Sequence, residues 1–228
     1  RQMVGISSIG DTTVVTDKWM MGTRNSFFVG IVATLLATAL GTVAALGLSR
    51  PHMPFKAVLM AILISPMIVP LIITAAGMFF FYSKIGLTHT YLGLILAHTA
   101  LGTPFVVITV TATLTGFDTN LIRASQSLGA DTMRTFFKVI MPLILPGVIS
   151  GALFAFITSF DEVVVVMFVG SVEQITIPKQ MWAGLRQETS PVILCMATCL
   201  VALSIALLTT VELLRRRSER LRGIKLRN

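Results

Sequence analysis

The sequence predicts an all-α integral membrane protein, and three observations predict it. Mean hydropathy is +0.86 and 54% of the 228 residues are apolar. Only 12% are charged, against about 25% in soluble domains. Apolar runs of about 20 residues, the length a helix needs to cross a hydrocarbon core, follow one another along the chain. The formal net charge of +8 would suit nucleic acid. On so apolar a chain, however, basic residues read as the orientation signal of cytoplasmic loops, and nucleic acid is set aside as a partner.

Residues 1–25 are mixed in polarity, with Trp19 and Arg24 placed as an interfacial approach to the bilayer. The first span covers residues 26–48. Its small residues Gly30, Ala33, Thr34, Ala37, Thr38, Gly41 and Ala45 recur at helical spacing, which predicts close packing against other helices. A basic, proline-broken turn at 49–56 leads to a second span at 57–82, where Pro66 and Pro70 predict a bend or interruption. Such a break can line a pathway or be an ordinary kink. The third span, 91–114, contains His98, a lone imidazole that reads as a helix-to-helix hydrogen bond. The fourth, 143–169, contains Asp161 and Glu162. The fifth, 191–214, carries Cys195 and Cys199 as small packing residues without metal-ligand spacing.

Counting Lys and Arg in alternate loops orients the chain. Residues 49–56, 117–142 and 215–228 hold two, three and seven, whereas 1–25, 83–90 and 171–190 hold three, one and two. The richer set belongs in the cytoplasm, which puts the N-terminus outside. An outside start with no signal pattern leads to the expectation of a further helix before residue 1. The basic tail, 215–228, reads as an anchor to anionic lipid.

The longest mixed interval, 117–142, is then cytoplasmic. Asp118 can cap a short helix beginning near Thr119, with Leu121, Ala124, Ser125 and Leu128 on one side. Gly129 suits the left-handed exit from that helix. Asp131, after Ala130, can cap a second helix bearing Met133, Phe136, Phe137 and Ile140, up to Pro142. Two short helices with apolar faces in the cytosol need a partner protein or the lipid interface.

These residues resemble the cytoplasmic signature of permease subunits of ATP-binding-cassette importers: Glu-Ala-Ala, three residues, Gly, nine residues, then Ile, any residue, Leu-Pro. Ala124, Gly129 and Pro142 match it directly. Ser125 stands at the second alanine, Val139 at the isoleucine, Met141 at the leucine, and Arg123 replaces the glutamate. The runs ISPMIVPLII, LGLILAHT, LGTPFVVITV, MPLILPGVISG and SFDEVVV are similar to the second permease of the polyamine branch, the one serving spermidine and putrescine.

The resemblance implies a type I importer transmembrane domain of six helices, five of them visible here, in the bacterial inner membrane. It implies a second, homologous permease, two ATPase subunits that bind ATP and Mg, and a periplasmic binding protein. On this reading residues 26–214 form the permease domain, and Arg123, Ala124, Ser125, Leu128, Gly129, Ala130, Asp131, Phe136, Val139 and Pro142 form the surface coupled to the ATPase.

A polyamine carries cations at intervals, so Asp161 or Glu162 could contribute to its path, with Phe160 and Trp182 adding cation-π contacts. Helix neighbours point about 100° apart, so the two acids would face differently, and one could instead bridge to a partner subunit. Related branches carry opines, phosphonates or iron. No phosphate loop of the form G-x-x-x-x-G-K-[ST] occurs, so the chain reads as a transport subunit that is not itself an enzyme. A motor-less channel or scaffold, or an intramembrane hydrolase using Asp161, are the readings from other classes.

Overall fold

The computed structural model describes residues 7–221 apart from 51, 119 and 188–190. Ten helices order the described chain: α1 (Ser7–Leu48), α2 (Lys56–Ile68), α3 (Leu71–Lys84), α4 (Tyr91–Thr115), α5 (Asn120–Ser127), α6 (Thr132–Thr135), α7 (Met141–Phe160), α8 (Val164–Val169), α9 (Ile177–Gln187) and α10 (Pro191–Leu221). A π-helical turn, Phe136–Ile140, joins α6 to α7. Half of the expected tail, residues 222–228, lies outside the described residues, as do the side chains of Arg215, Arg216 and Arg217. Thr119, where the first cytoplasmic helix was expected to start, also lies outside them.

Among the described residues, four helices are long and apolar enough to cross a membrane: Asp17–Leu48, Tyr91–Thr115, Thr132–Phe160 and Ile193–Thr210. The pair α2 and α3, bent by 103°, meets the same criterion when the two helices are counted as one span, which makes up to five. The bend falls at Pro70 because a residue before proline is pushed out of the helical region, and Val69 is extended at φ −71°, ψ 136°. Pro66 stays inside α2. Its missing N–H frees the Ile62 carbonyl, and the Ser65 hydroxyl donates to that carbonyl at 2.8 Å.

α1, α4 and α7 pack against one another and form the core. In lipid no hydrophobic effect drives helices together, so close backbone approach must supply the attraction. The small-residue stripe of α1 supplies it: Ala33, Ala37 and Ala45 are at most 1% exposed. Val106 of α4 sits between two glycines. A Cβ at Gly41 of α1 would lie 2.6 Å from the Val106 Cβ, and one at Gly151 of α7 would lie 2.8 Å from the Val106 Cα. His98 makes the expected inter-helix hydrogen bond, its Nδ1 lying 2.7 Å from the Ser159 hydroxyl of α7.

Two boundaries differ from expectation. The first helix starts at Ser7 rather than near residue 26. Its outer part is held by contacts with a distant loop, where Asn25 Nδ2 donates to the carbonyls of Glu173 and Ile175 at 2.8 and 2.9 Å. The fourth span is not one helix to residue 169. α7 ends at Phe160 and the short α8 begins at Val164, so Asp161 and Glu162 occupy a break and are not successive positions of a continuous helix. Cys195 and Cys199 are free thiols exposed on α10, which packs on α7 and α9.

Candidate functional site

Residues 117–142 fold as two short helices around a left-handed glycine. Asp118 Oδ1 accepts from the Asn120 amide at 2.9 Å and Asp131 Oδ1 from the Arg134 amide at 2.7 Å, so each aspartate satisfies an orphan donor at a helix start. Gly129 has φ +80°, and the amides of Gly129 and Ala130 close the exit by donating to the carbonyls of Gln126 and Ser125 at 2.9 and 3.1 Å. Pro142 lies where the π-helical turn Phe136–Ile140 passes into α7.

Three apolar side chains of this element are largely uncovered. Leu128 is 88% exposed, Met133 68% and Phe137 62%. Phe136, Val139 and Ala130 are half-buried, and Ala124 is exposed. Arg123 is exposed too, and its guanidinium meets no carboxylate among the described residues. Ser125 is buried, at 9% exposure.

The helix Thr132–Phe160, which includes the π-helical turn, leads from this element to the break that holds the acidic pair. α7 alone has 20 residues, about 30 Å at 1.5 Å per residue, so the pair lies a bilayer's thickness along the helix from Met141. The break separates the two carboxylates by role. Glu162 is 7% exposed, and its Oε1 accepts from the Val165 amide at 2.8 Å, capping α8. Asp161 closes α7 and remains exposed.

The pair lines an open cleft of 390 Å³ with Leu71, Ile157, Thr158, Val163 and Val164. Leu71 is the first residue after the Pro70 break, so the two interrupted spans meet at this cleft. Phe160 and Trp182 do not line it. The Phe160 ring is buried, with Phe27 at 5.0 Å and Phe156 at 5.2 Å between centroids, and Trp182 stands on α9, 45% exposed.

Sequence reasoning missed a polar knot at the end of the bundle opposite residues 117–142. Tyr91 donates to Asn25 Oδ1, Ser26 Oγ accepts from the Ile177 amide, and Gln174 Oε1 accepts from the Ser171 amide and hydroxyl. Lys179 Nζ donates to the carbonyls of Ser171 at 2.9 Å and Val166 at 3.3 Å, and burial pushes its ammonium below the usual lysine range. The available signal was Asn25, a polar residue at the mouth of an apolar run.

Comparison with known proteins supplies the family. The model of the family described as binding-protein-dependent transport system inner membrane component matches residues 37–220. The spermidine/putrescine transport system permease protein PotC of Haemophilus influenzae is 30% identical over 202 residues, 89% of this chain and 79% of that protein. The putrescine transport system permease protein PotI of Escherichia coli K12 is 28% identical over 198 residues, 81% of this chain and 68% of that protein.

Among solved structures, a chain of the inward-facing MetNI methionine ABC transporter superposes with TM-score 0.66 at 21% identity, covering 92% of this chain and 98% of its own. A chain of an amino acid ABC transporter gives 0.66 at 16%, covering 95% and 100%. At those identities the likeness speaks for the fold, which is that of an importer's membrane domain. A match over residues 37–220 settles membership: the chain belongs to the binding-protein-dependent transport system inner membrane components, as a multi-pass permease subunit of an ABC importer.

Proposed function

We propose that this permease imports polyamines of the spermidine and putrescine class, pairing with a second, homologous permease and receiving its cargo from a periplasmic binding protein. Two separate ATPase subunits bind ATP and Mg and dock on residues 117–142. Their closure moves α5 and α6, and the helix Thr132–Phe160 carries the movement to the cleft. The bundle thereby alternates between inward and outward opening.

The observation that carries this reading is the exposed Asp161 carboxylate, which stands in a cleft at the far end of the helix that begins in the cytoplasmic element. An ammonium there gains a charge-assisted hydrogen bond to Asp161, while the apolar lining limits competition from water. Glu162, already capping α8, holds the break open and is the less available of the two. The similarity to PotC and PotI supports the choice of cargo.

The test is ATP hydrolysis by the complete complex in proteoliposomes, supplied with its binding protein loaded with spermidine, putrescine, an opine, a phosphonate or an iron chelate. Stimulation by a polyamine is expected. Stimulation by one of the other solutes alone transfers the assignment to that branch, and hydrolysis unresponsive to any loaded binding protein overturns the importer mechanism.

A further inference from the structure

The two short helices of the cytoplasmic element are tied together by a bond that neither needs for its own folding. Ser125 Oγ of α5 and Thr135 Oγ1 of α6 lie 2.9 Å apart. Ser125 is the buried residue of α5 and Thr135 the buried residue of α6, at 9% and 3% exposure, and no apolar side chain in either helix is buried. The contact between these helices is therefore centred on a hydroxyl pair where a hydrophobic core would be expected. Ser125 already donates its single proton to the Ile122 carbonyl at 2.8 Å, which leaves Thr135 as the donor between the two. The signature this segment resembles has alanine at position 125, which could not accept that proton.

We infer that Ser125 and Thr135 are positioning residues: their hydrogen bond fixes α5 against α6 as one rigid unit and sets the angle at which that unit meets the ATPase. The inference rests on residues 117–142 being the docking element. Around the pair, the connection is a four-residue turn through Gly129, whose added Cβ would meet nothing within 4 Å, so packing there does not fix the angle. Beyond Thr135 the chain enters the π-helical turn, where the regular ladder of hydrogen bonds is interrupted. A unit that is stiff up to Thr135 passes force into that turn instead of losing it between α5 and α6.

The readout is the ratio of ATP hydrolysed to solute imported by the complete reconstituted complex. Ser125→Ala and Thr135→Val should each raise that ratio about fivefold, the factor matching the loss of one ordinary hydrogen bond, and Thr135→Ser should restore it. A Ser125→Cys, Thr135→Cys pair, in a Cys195→Ser, Cys199→Ser background and oxidised with copper-phenanthroline, should keep the ratio near that of the unmodified complex. Uptake abolished by oxidation and recovered with reductant would mean that α5 and α6 must part during the cycle, which overturns the inference.

Maleimide labelling of Leu128→Cys, in membranes with and without the ATPase subunit, separates the two levels. If the ATPase gives no protection, the docking reading fails and the inference fails with it. If Leu128→Cys is protected and Ser125→Ala leaves the ratio unchanged, the positioning role alone is refuted.

Discussion

Replacing Asp161 with Asn keeps the shape of the cleft and removes the negative charge that the transport proposal depends on. The size of the effect follows from where the residue sits. A carboxylate and an ammonium 4 Å apart attract by about 1 kcal/mol in bulk water and about 4 kcal/mol at the effective dielectric of a protein surface. Asp161 is exposed in an open cleft, so the lower part of that range applies, about 1–2 kcal/mol, or a fall of about 5- to 30-fold in uptake at limiting solute.

Glu162→Gln provides the contrast. A Gln side-chain oxygen can still accept from the Val165 amide, so that variant should lose much less uptake than Asp161→Asn. The assay is radiolabelled polyamine uptake into proteoliposomes at low and high salt. Salt should slow the unmodified transporter more than Asp161→Asn, because screening acts on the charge the variant lacks. Equal uptake by Asp161→Asn and the unmodified protein, with the same salt dependence, would refute the role of that carboxylate.

The remaining predictions concern coupling and packing. Gly41→Ala should destabilise the bundle by about 1–3 kcal/mol, because its Cβ meets the Val106 Cβ and neither can move aside; Gly47→Ala, in the same helix with nothing within 4 Å, should be neutral or slightly stabilising in the same thermal-shift measurement. Ser159→Ala leaves His98 Nδ1 buried without its partner and should cost about 1–3 kcal/mol, read as a lower melting temperature in detergent. Gly129→Pro replaces φ +80° with a ring fixed near −65° and deletes the amide that donates to Gln126; uptake should fall while ATP hydrolysis and membrane insertion persist.

What the sequence made legible is what local chemistry specifies. The spans follow from hydropathy, the α2–α3 break from a proline that forces Val69 out of the helix, and the turn at Gly129 from two aspartates spaced as helix caps around a glycine. The tie between α1 and the loop before α9 was hidden because Asn25 binds carbonyls 148 and 150 residues away, and no local pattern announces partners so distant in the chain. The break after Phe160 was hidden because the valines that follow keep the hydropathy high. Only the Glu162 carboxylate, turned back onto the Val165 amide, shows that the helix has ended and another begun. Phe160 was singled out for an aromatic ring beside two acids, but its neighbours Phe27 and Phe156 already take up that ring.

The two helix interruptions gain meaning from being read together. Taken alone, Pro70 is a kink of the kind membrane helices tolerate, and Asp161 is a charge awaiting a reason. In the fold, Leu71 directly follows the proline and lines the same cleft as Asp161 and Glu162. Interrupted helices within a membrane persist where freed backbone groups are buried in protein or line a cavity. Here two of them converge on one cleft, and the exposed carboxylate of that cleft terminates the helix that starts at Thr132. The cleft therefore joins two elements distant in the chain: its exposed charge stands at the end of the helix that starts at Thr132, and Leu71 opens the second arm of the pair bent by 103°.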